Sequence, residues 1–457
     1  MDIVQYVSRH FFRNPMRVAI TSFSLLILTG TVLLLLPGSV TTVPLRFVDA
    51  LFTATSACSV TGLTVVDTGS FFSFQGQLFI LLLAQVGGVG IMTFSTLVIL
   101  MAGRRPGIIS GQTLKDGYTQ SGERRPIDII RSVLVFTFLF EAVGAALLFP
   151  RFLKDMPFPQ ALFSSIFHSV AAFCNAGFSL FPDNFIRYQG DWYVNGVLAV
   201  LIITGGLGFL VLGDIRRAIR APQNSWKDMS LQSKLVLSTT ALLLAGGGVV
   251  FLFLENGGAF SGMPWHRKIL AAFFQSVTAR TAGFNTIPIS QLGDPSLFFL
   301  IFLMVIGAGP GSCAGGVKIT TMAVLLIFGI GHLRGQERPQ VFFRSINKGS
   351  IDKAVSLVLL AGTLLLFMTL ILLILERADP AVLSSRRSFL EVAFEAASAF
   401  GTAGLSTGLT PSLSDAGRLL LTFLMAVGKL GPLTLALAFS YRRARKYHYS
   451  EENIMIG

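Results

Sequence analysis

One short unit recurs four times along this chain, and each copy closes on a glycine. The copies read Ser59-Val60-Thr61-Gly62-Leu63-Thr64, Cys174-Asn175-Ala176-Gly177-Phe178-Ser179, Arg280-Thr281-Ala282-Gly283-Phe284-Asn285 and Gly401-Thr402-Ala403-Gly404-Leu405-Ser406. A phenylalanine stands ten residues before each glycine: Phe52, Phe167, Phe273 and Phe394. The glycines are 115, 106 and 121 residues apart, so the copies are spread evenly through the chain. Four copies of one loop in a strongly apolar chain suggest four loops set around one axis, the architecture of an ion-selective pore.

The surroundings of the unit are those of a membrane protein. Of 457 residues, 52% are hydrophobic and 13% charged, roughly half the charged share of an ordinary soluble domain. Mean hydropathy is +0.69. Several apolar runs reach about 20 residues, the length a helix needs to cross a hydrocarbon core. The expected class is therefore an all-α polytopic membrane protein. Cys58, Cys174 and Cys313 show no CxxC pairing, which argues against a disulfide framework or zinc site. Cys58 and Cys174 read as small packing residues beside the glycine runs.

The net charge of +13 does not point to nucleic acid, because the basic residues are segregated along the chain. They cluster at Arg9–Arg17, Arg104–Arg131, Arg216–Lys234, Arg334–Lys353 and Arg442–Lys446. All five clusters fall on one side if each unit crosses the membrane twice, and the positive-inside rule makes that side cytoplasmic. Both termini are then inside. The first apolar run lacks an obvious cleavage site and is read as a retained helix. The opposite loops carry Asp67, Asp155, Asp183, Asp191, Glu255, Asp294, Glu376 and Asp379.

Apolar spans flank each glycine run: 18–36 and 77–101, 132–149 and 192–212, 235–254 and 297–330, 355–375 and 419–439. The segments before the glycines (50–57, 162–172, 270–279 and 390–399) are helix-like but too short to span. About ten helical residues rise about 15 Å, half of a roughly 30 Å core. Irregular backbone at that depth is tolerated where it is buried in protein or lines water. The expected architecture is four pseudo-symmetric helix–re-entrant P-loop–helix repeats around a single central pore. Their expected bounds are 1–106, 107–222, 223–345 and 346–457, the last with a cytoplasmic tail. Each second span is also broken by a glycine cluster: 87–90, 205–208, 307–311 and 428–432. Kinks that open space beneath the loops, or close packing through small residues, both account for the first two.

The chemistry of the runs suits a dehydrated cation. A ring of backbone carbonyls replaces the hydration shell without burying a formal charge, and glycine reaches the backbone angles this needs without a Cβ clash. The candidate filter is Val60, Thr61 and Gly62; Asn175, Ala176 and Gly177; Thr281, Ala282 and Gly283; and Thr402, Ala403 and Gly404. No carboxylate occurs within these runs, which argues against an acidic filter ring. The long third-unit span, 297–330, contains an eleven-residue stretch, 306–316, with five glycines and a proline. A stable helix is not expected there. Gly307, Gly309, Pro310, Gly311, Gly315 and Gly316 are the candidate gate loop. Arg280, Lys318 and Lys429 lie within apolar segments and should face the protein interior. Lys429 is the candidate electrostatic barrier, with Glu141 as a candidate counter-ion or, alternatively, a structural ion pair remote from the path.

At these residues the chain resembles the Trk/Ktr/HKT superfamily of potassium transporters, most closely its bacterial Ktr-type membrane subunits. The resemblance rests on the run 53–63, the loop 307–318 and the segment 428–434, and covers nearly the whole length. The chain lacks an extra N-terminal helix pair, which favours Ktr over Trk. The resemblance implies potassium bound in a four-glycine filter and an uptake route in a bacterial inner membrane, with sodium as a further candidate ion. It further implies a homodimer with a pore in each protomer and a cytosolic RCK-type ring binding ATP, ADP or NAD. The basic loops 104–131 and 334–353 are candidate docking surfaces for that ring, or alternatively reflect topology and attraction to anionic membrane lipids. The family commonly has arginine where this chain has Lys429. Lysine keeps the charge and loses the planar, multidentate fork.

Nothing here reads as a nucleotide-binding motif, so an organic cofactor would reside in the partner. The five histidines (His10, His168, His266, His332 and His448) are scattered, which disfavours an enzyme. A sodium-conducting relative and a secondary solute transporter built from repeats are the competing readings.

Overall fold

A computed structural model describes residues 15–41, 43–90, 126–220, 225–336, 338–376 and 388–431. Each unit contributes a long helix, a short helix that ends near its glycine, and a second helix. Unit one has α1 (Pro15–Leu34), α2 (Phe47–Ser59) and α3 (Phe74–Val89). Unit two has α4 (Pro126–Phe152), α5 (Phe158–Cys174), α6 (Trp192–Leu207) and α7 (Phe209–Arg220). Unit three has α8 (Leu231–Glu255), α9 (Trp265–Thr278), α10 (Asp294–Val305) and α11 (Ile319–Leu333). Unit four has α12 (Lys348–Leu375), α13 (Ser388–Gly401) and α14 (Asp415–Leu430).

Among the described residues, four single helices are long and apolar enough to cross a membrane, and they lie in α1, α4, α8 and α12. Their outward residues, such as Leu242, Phe253, Leu359 and Leu366, are exposed. A large apolar surface of this kind suits lipid rather than water. The short helices run 13, 17, 14 and 14 residues, longer than the sequence suggested. At 1.5 Å per residue they rise about 20–25 Å, still short of a full crossing.

The second helices of units one, two and four start at side-chain caps. Ser73, Asp191 and Ser414 each accept a backbone N–H of the first turn. They stop at glycine: Gly90, Gly208 and Gly431 have φ of 95°, 89° and 84°. In unit two the chain turns by 106° between α6 and α7 at this point. The glycines just before the stop have a second role. A methyl group on Gly87, Gly205 or Gly428 would lie 2.1, 1.8 or 1.9 Å from the carbonyl oxygen of Cys58, Phe173 or Phe400. Close packing and helix breaking, posed as alternatives, thus occupy successive residues of the same cluster. The expected continuations of α3 to 101 and α14 to 439 lie outside the described residues. So do Arg9, Arg13, Asp379, most of the basic loop 104–131 and the C-terminal tail.

The units close into a ring. Each short helix packs on the second helix of the preceding unit: α5 on α3, α9 on α6, α13 on α10 and α2 on α14. The last contact joins unit four to unit one and carries a largely buried ion pair, Arg418 Nη1 to Asp49 Oδ1 at 2.5 Å. Removing one partner of such a pair strands the other charge. Asp49→Ala is expected to cost about 3 kcal/mol, while Asp49→Ala with Arg418→Met costs less. Thermal unfolding of the two variants in detergent checks the order.

The acidic residues expected on the outer side act as ties within units. Asp191 takes Arg151 Nε at 2.6 Å, Glu255 takes Gly293 N at 2.9 Å, and Glu376 takes Ser414 Oγ at 2.6 Å. Each bond joins the end of a first helix to the start of the second. The phenylalanine repeat is less regular in space than in sequence. Phe52, Phe167 and Phe394 are buried, but Phe273 is 40% exposed. The α9 helix stops five residues before its glycine rather than three, and Phe274 takes the buried position. On the basic side, β1 (Gln340–Val341) and β2 (Arg344–Ser345) form a hairpin with the fully exposed Phe343 at its tip.

Candidate functional site

The candidate filter is built by the way the short helices end. Val60, Asn175 and Thr402 follow α2, α5 and α13 in the left-handed region, with φ of 59°, 59° and 51°. The chain then bonds back twice. Thr61 N reaches Ser56 O at 2.8 Å and Val60 N reaches Ala57 O at 3.0 Å. Ala176 N and Asn175 N do the same to Ala171 O and Ala172 O, and Ala403 N and Thr402 N to Ser398 O and Ala399 O. This is the Schellman termination, which usually places glycine at the left-handed residue. Valine and threonine there carry strain of about 1–2 kcal/mol each. In unit three Thr281 is left-handed at 68°, and one bond, Ala282 N to Thr278 O at 3.0 Å, ends the turn.

Two residues on, Gly62, Gly177, Gly283 and Gly404 have φ of 91°, 67°, 77° and 81°. They meet in a closed cycle. A methyl group on Gly62 would lie 2.5 Å from Ala176 O, on Gly177 3.1 Å from Ala282 O, on Gly283 3.1 Å from Ala403 O, and on Gly404 2.0 Å from Thr61 O. Each glycine therefore faces the carbonyl of the following unit, and the fourth returns to the first. The four glycines and the residues before them, Thr61, Ala176, Ala282 and Ala403, are brought together here, with Val60, Asn175, Thr281 and Thr402 next to them in the chain. The C-terminal ends of the four short helices converge beneath the cycle, each with a partial negative charge of about half a unit. An uncharged ring thus gains a field that favours cations.

Above the cycle is a cavity of about 260 Å³. It is lined by the four glycines and by Thr64, Ser179, Asn285 and Ser406, each the second residue after its glycine. Asp67 and Asp183 also line it, so the mouth carries carboxylates although the glycine runs have none. Asn184, left-handed at φ 55°, sends its amide to Gly283 O at 3.4 Å. Sequence reasoning missed Asn184, since nothing in the repeat marks it.

Below the cycle, residues 306–318 form an irregular loop whose neck is closed by Ile306 pairing with Val317. One side is held by unit two: Gly309 N donates to Gly206 O at 2.8 Å and Phe209 N to Gly311 O at 3.3 Å. The other side is held by unit four: Gly316 N donates to Gly428 O at 3.1 Å and Gly315 N to Thr402 Oγ1 at 3.0 Å. Unit three lies between units two and four in the ring, and its loop is bonded to both. Close approach explains the glycines, since a methyl on Gly309 would lie 2.4 Å from Leu207 O and one on Gly315 2.5 Å from Thr402 Oγ1.

Lys429 donates to Cys313 O in this loop, and Lys318 donates to Ala314 O at 2.6 Å. Both lysines thus grip loop carbonyls. Glu141 is not the counter-ion of Lys429: its carboxylate takes Gln85 Nε2 at 3.0 Å, and no ion pair joins it to the lysine. The ammonium is met instead by the Cys313 carbonyl of the unit-three loop. Arg280 is buried as expected and reaches Thr240 Oγ1 at 3.4 Å. The three cysteines are buried free thiols.

Comparison with known proteins gives consistent relatives. The TrkH family profile, described as cation transport protein, matches residues 8–447. Ktr system potassium uptake protein B of Bacillus subtilis is 38% identical over 446 residues, covering 97% of each chain. The potassium/sodium uptake protein NtpJ of Enterococcus hirae is 36% identical over 454 residues, again 97% of each. In fold, the potassium transporter TrkH of Vibrio parahaemolyticus matches with a TM-score of 0.72 at 18% identity, over 94% of this chain and 85% of that one.

Proposed function

Because the chain belongs to the TrkH family of cation transport proteins, we propose that it is the membrane-embedded pore of a Ktr-type potassium uptake system. It is a transporter, not an enzyme. The observation that carries the potassium reading is the closed cycle of four glycines, each against the carbonyl of the next unit. In this reading the short helices are re-entrant, and the four repeats have the bounds 1–106, 107–222, 223–345 and 346–457. Val60 to Gly62 and their counterparts in the other three units hold a potassium ion by backbone oxygen. The strained left-handed residues set the turn in advance, so the ion meets ligands that need little rearrangement. The membrane potential drives uptake at about 2.3 kcal/mol per charge per 100 mV.

The loop 306–318 is the gate, and Lys429 both anchors it and repels passing cations. Basic segments face the cytoplasm of a bacterial cell, and both termini lie there. Two protomers, each with its own pore, sit on a cytosolic RCK-type ring that binds ATP, ADP or NAD. The hairpin tip at Phe343, with Arg338, Arg344 and Lys348 nearby, is the described part of the docking surface. Sodium is the second ion considered, as a coupled or a conducted species, because a relative 36% identical is named for potassium and sodium uptake.

The test is Gly62→Ser in purified protein reconstituted into liposomes. Rubidium uptake should become about ten-fold more sensitive to sodium competition, the loss of one well-placed ligand interaction. Unchanged competition in a folded variant would sink the filter assignment.

A further inference from the structure

Two titratable side chains behind the candidate filter make matching bonds in opposite units. His168 and Glu395 each stand nine residues before a filter glycine, in units two and four, and both are fully buried. Glu395 Oε1 accepts from Ser406 Oγ at 2.7 Å and from Thr407 N at 2.9 Å. It also takes Thr407 Oγ1 at 3.1 Å, while Oε2 takes Thr410 Oγ1 at 2.5 Å. His168 Nε2 meets Ser179 Oγ at 3.2 Å and accepts from Leu180 N at 3.2 Å. The two sets correspond position for position: the second residue after the glycine through its hydroxyl, the third through its backbone N–H.

The imidazole's role is set by its other nitrogen. Nδ1 lies 2.7 Å from Ser164 O, which can only accept. Nδ1 therefore carries the proton, and Nε2 is an acceptor like the carboxylate. Each serine then closes the same circuit. Ser179 Oγ gives its proton to His168 and accepts Phe181 N at 3.0 Å, and Ser406 Oγ gives its proton to Glu395 and accepts Gly408 N at 2.9 Å. Both serines line the cavity above the glycine cycle, and both hydroxyl protons are committed to His168 and Glu395. One lone pair remains on each, which is what a cation needs.

Units one and three have no such device. Thr53, at the same offset, bonds Asp49 O within its own helix at 2.8 Å, and in unit three the position is Phe274. Asn285 sends its amide to Ile287 O at 3.0 Å.

We propose that His168 and Glu395 are a matched pair of positioning residues that present Ser179 and Ser406 as two opposed, acceptor-only ligands, forming a two-fold outer cation site above a pseudo-four-fold filter. The proposal rests on reading the four glycines as that filter. The outer site governs how well a cation is captured, whereas passage through the glycine cycle and the gate governs the maximal rate.

The experiment is rubidium uptake by the full chain in liposomes, with KM and maximal rate measured separately and thermal stability followed in parallel. Glu395→Leu and His168→Leu should each raise KM about five- to ten-fold, the worth of one to two hydrogen bonds, with maximal rate changed less than about two-fold. Glu395→Gln and His168→Gln keep an acceptor oxygen and should recover most of the original KM. If the leucine variants do not fold, Ser179→Ala and Ser406→Ala remove only the hydroxyls and should raise KM in the same direction. An unchanged KM in folded leucine or alanine variants overturns the proposal, as does a glutamine variant no better than leucine. Gly62→Ser in the same assay separates the two readings. Altered sodium competition there with unchanged KM in the leucine variants removes only the positioning pair. Unaltered competition removes the filter reading itself.

Discussion

Lys429→Ala is expected to raise rubidium uptake about ten-fold, because a like charge beside the path raises the energy of a passing cation by on the order of 1 kcal/mol at an effective dielectric of 20. Two effects act in the same direction. The charge is removed from beneath the glycine cycle, and the loop loses the bond from Lys429 to Cys313 O. Lys429→Arg keeps the charge and should stay within about two-fold of the parent rate. If the loop is the proposed gate, shortening 307–316 should also raise flux. The measurement is initial uptake into potassium-loaded liposomes at matched protein density. Loss of uptake by a correctly folded alanine variant would assign Lys429 to structure rather than to control of flow.

Serine substitution of the four filter glycines is expected to be graded rather than uniform. Gly404→Ser should be the most damaging, since its Cβ would lie 2.0 Å from Thr61 O. Gly62→Ser follows, at 2.5 Å from Ala176 O and 2.6 Å from Gly177 Cα. Gly283→Ser meets Gly177 Cα at 2.8 Å, and Gly177→Ser is mildest, with its nearest atom at 3.0 Å. Every one of the four also pays a backbone cost of about 1–2 kcal/mol for a side chain at positive φ. Differences in Cβ clearance therefore decide the order. Rubidium uptake should fall by at least about a hundred-fold for Gly404→Ser, where the backbone of two units must move and two or more ligands are lost. It should fall by about ten-fold or less for Gly177→Ser. Parallel uptake and sodium-competition curves for the four variants check the ranking, and equal losses would show that the cycle relaxes as one body.

Much of this site is legible in the chain. The glycine runs, the short helices before them and the broken third-unit span all lie where the sequence places them, because each depends on local chemistry. Glycine and proline stop a helix wherever they occur, and an apolar run of about 20 residues seeks hydrocarbon. The short helices are longer than expected because their first turns are amphipathic and lie outside the apolar stretch that marks them. The end of α9 was legible to within a residue, expected at 279 and found at Thr278, whereas α2, α5 and α13 each run two residues past their expected ends.

The partner of a buried charge was not legible. Glu141 and Lys429 are opposite charges in apolar segments, yet the nearest acceptor to Lys429 is a backbone carbonyl of the loop, which sequence does not distinguish from any other. The same holds for His168, whose neighbours Ser179 and Leu180 are set by the Schellman turn that folds the strand back along its own helix.

By itself the sequence determined an apolar chain of four like units, a glycine at the heart of each, and a non-helical loop in the third. Those properties follow from composition and short-range backbone preference. Only the tertiary structure decided the cyclic order of the units and the contacts of the loop with units two and four. These depend on backbones separated by about a hundred residues approaching to van der Waals contact, a distance over which no local preference acts.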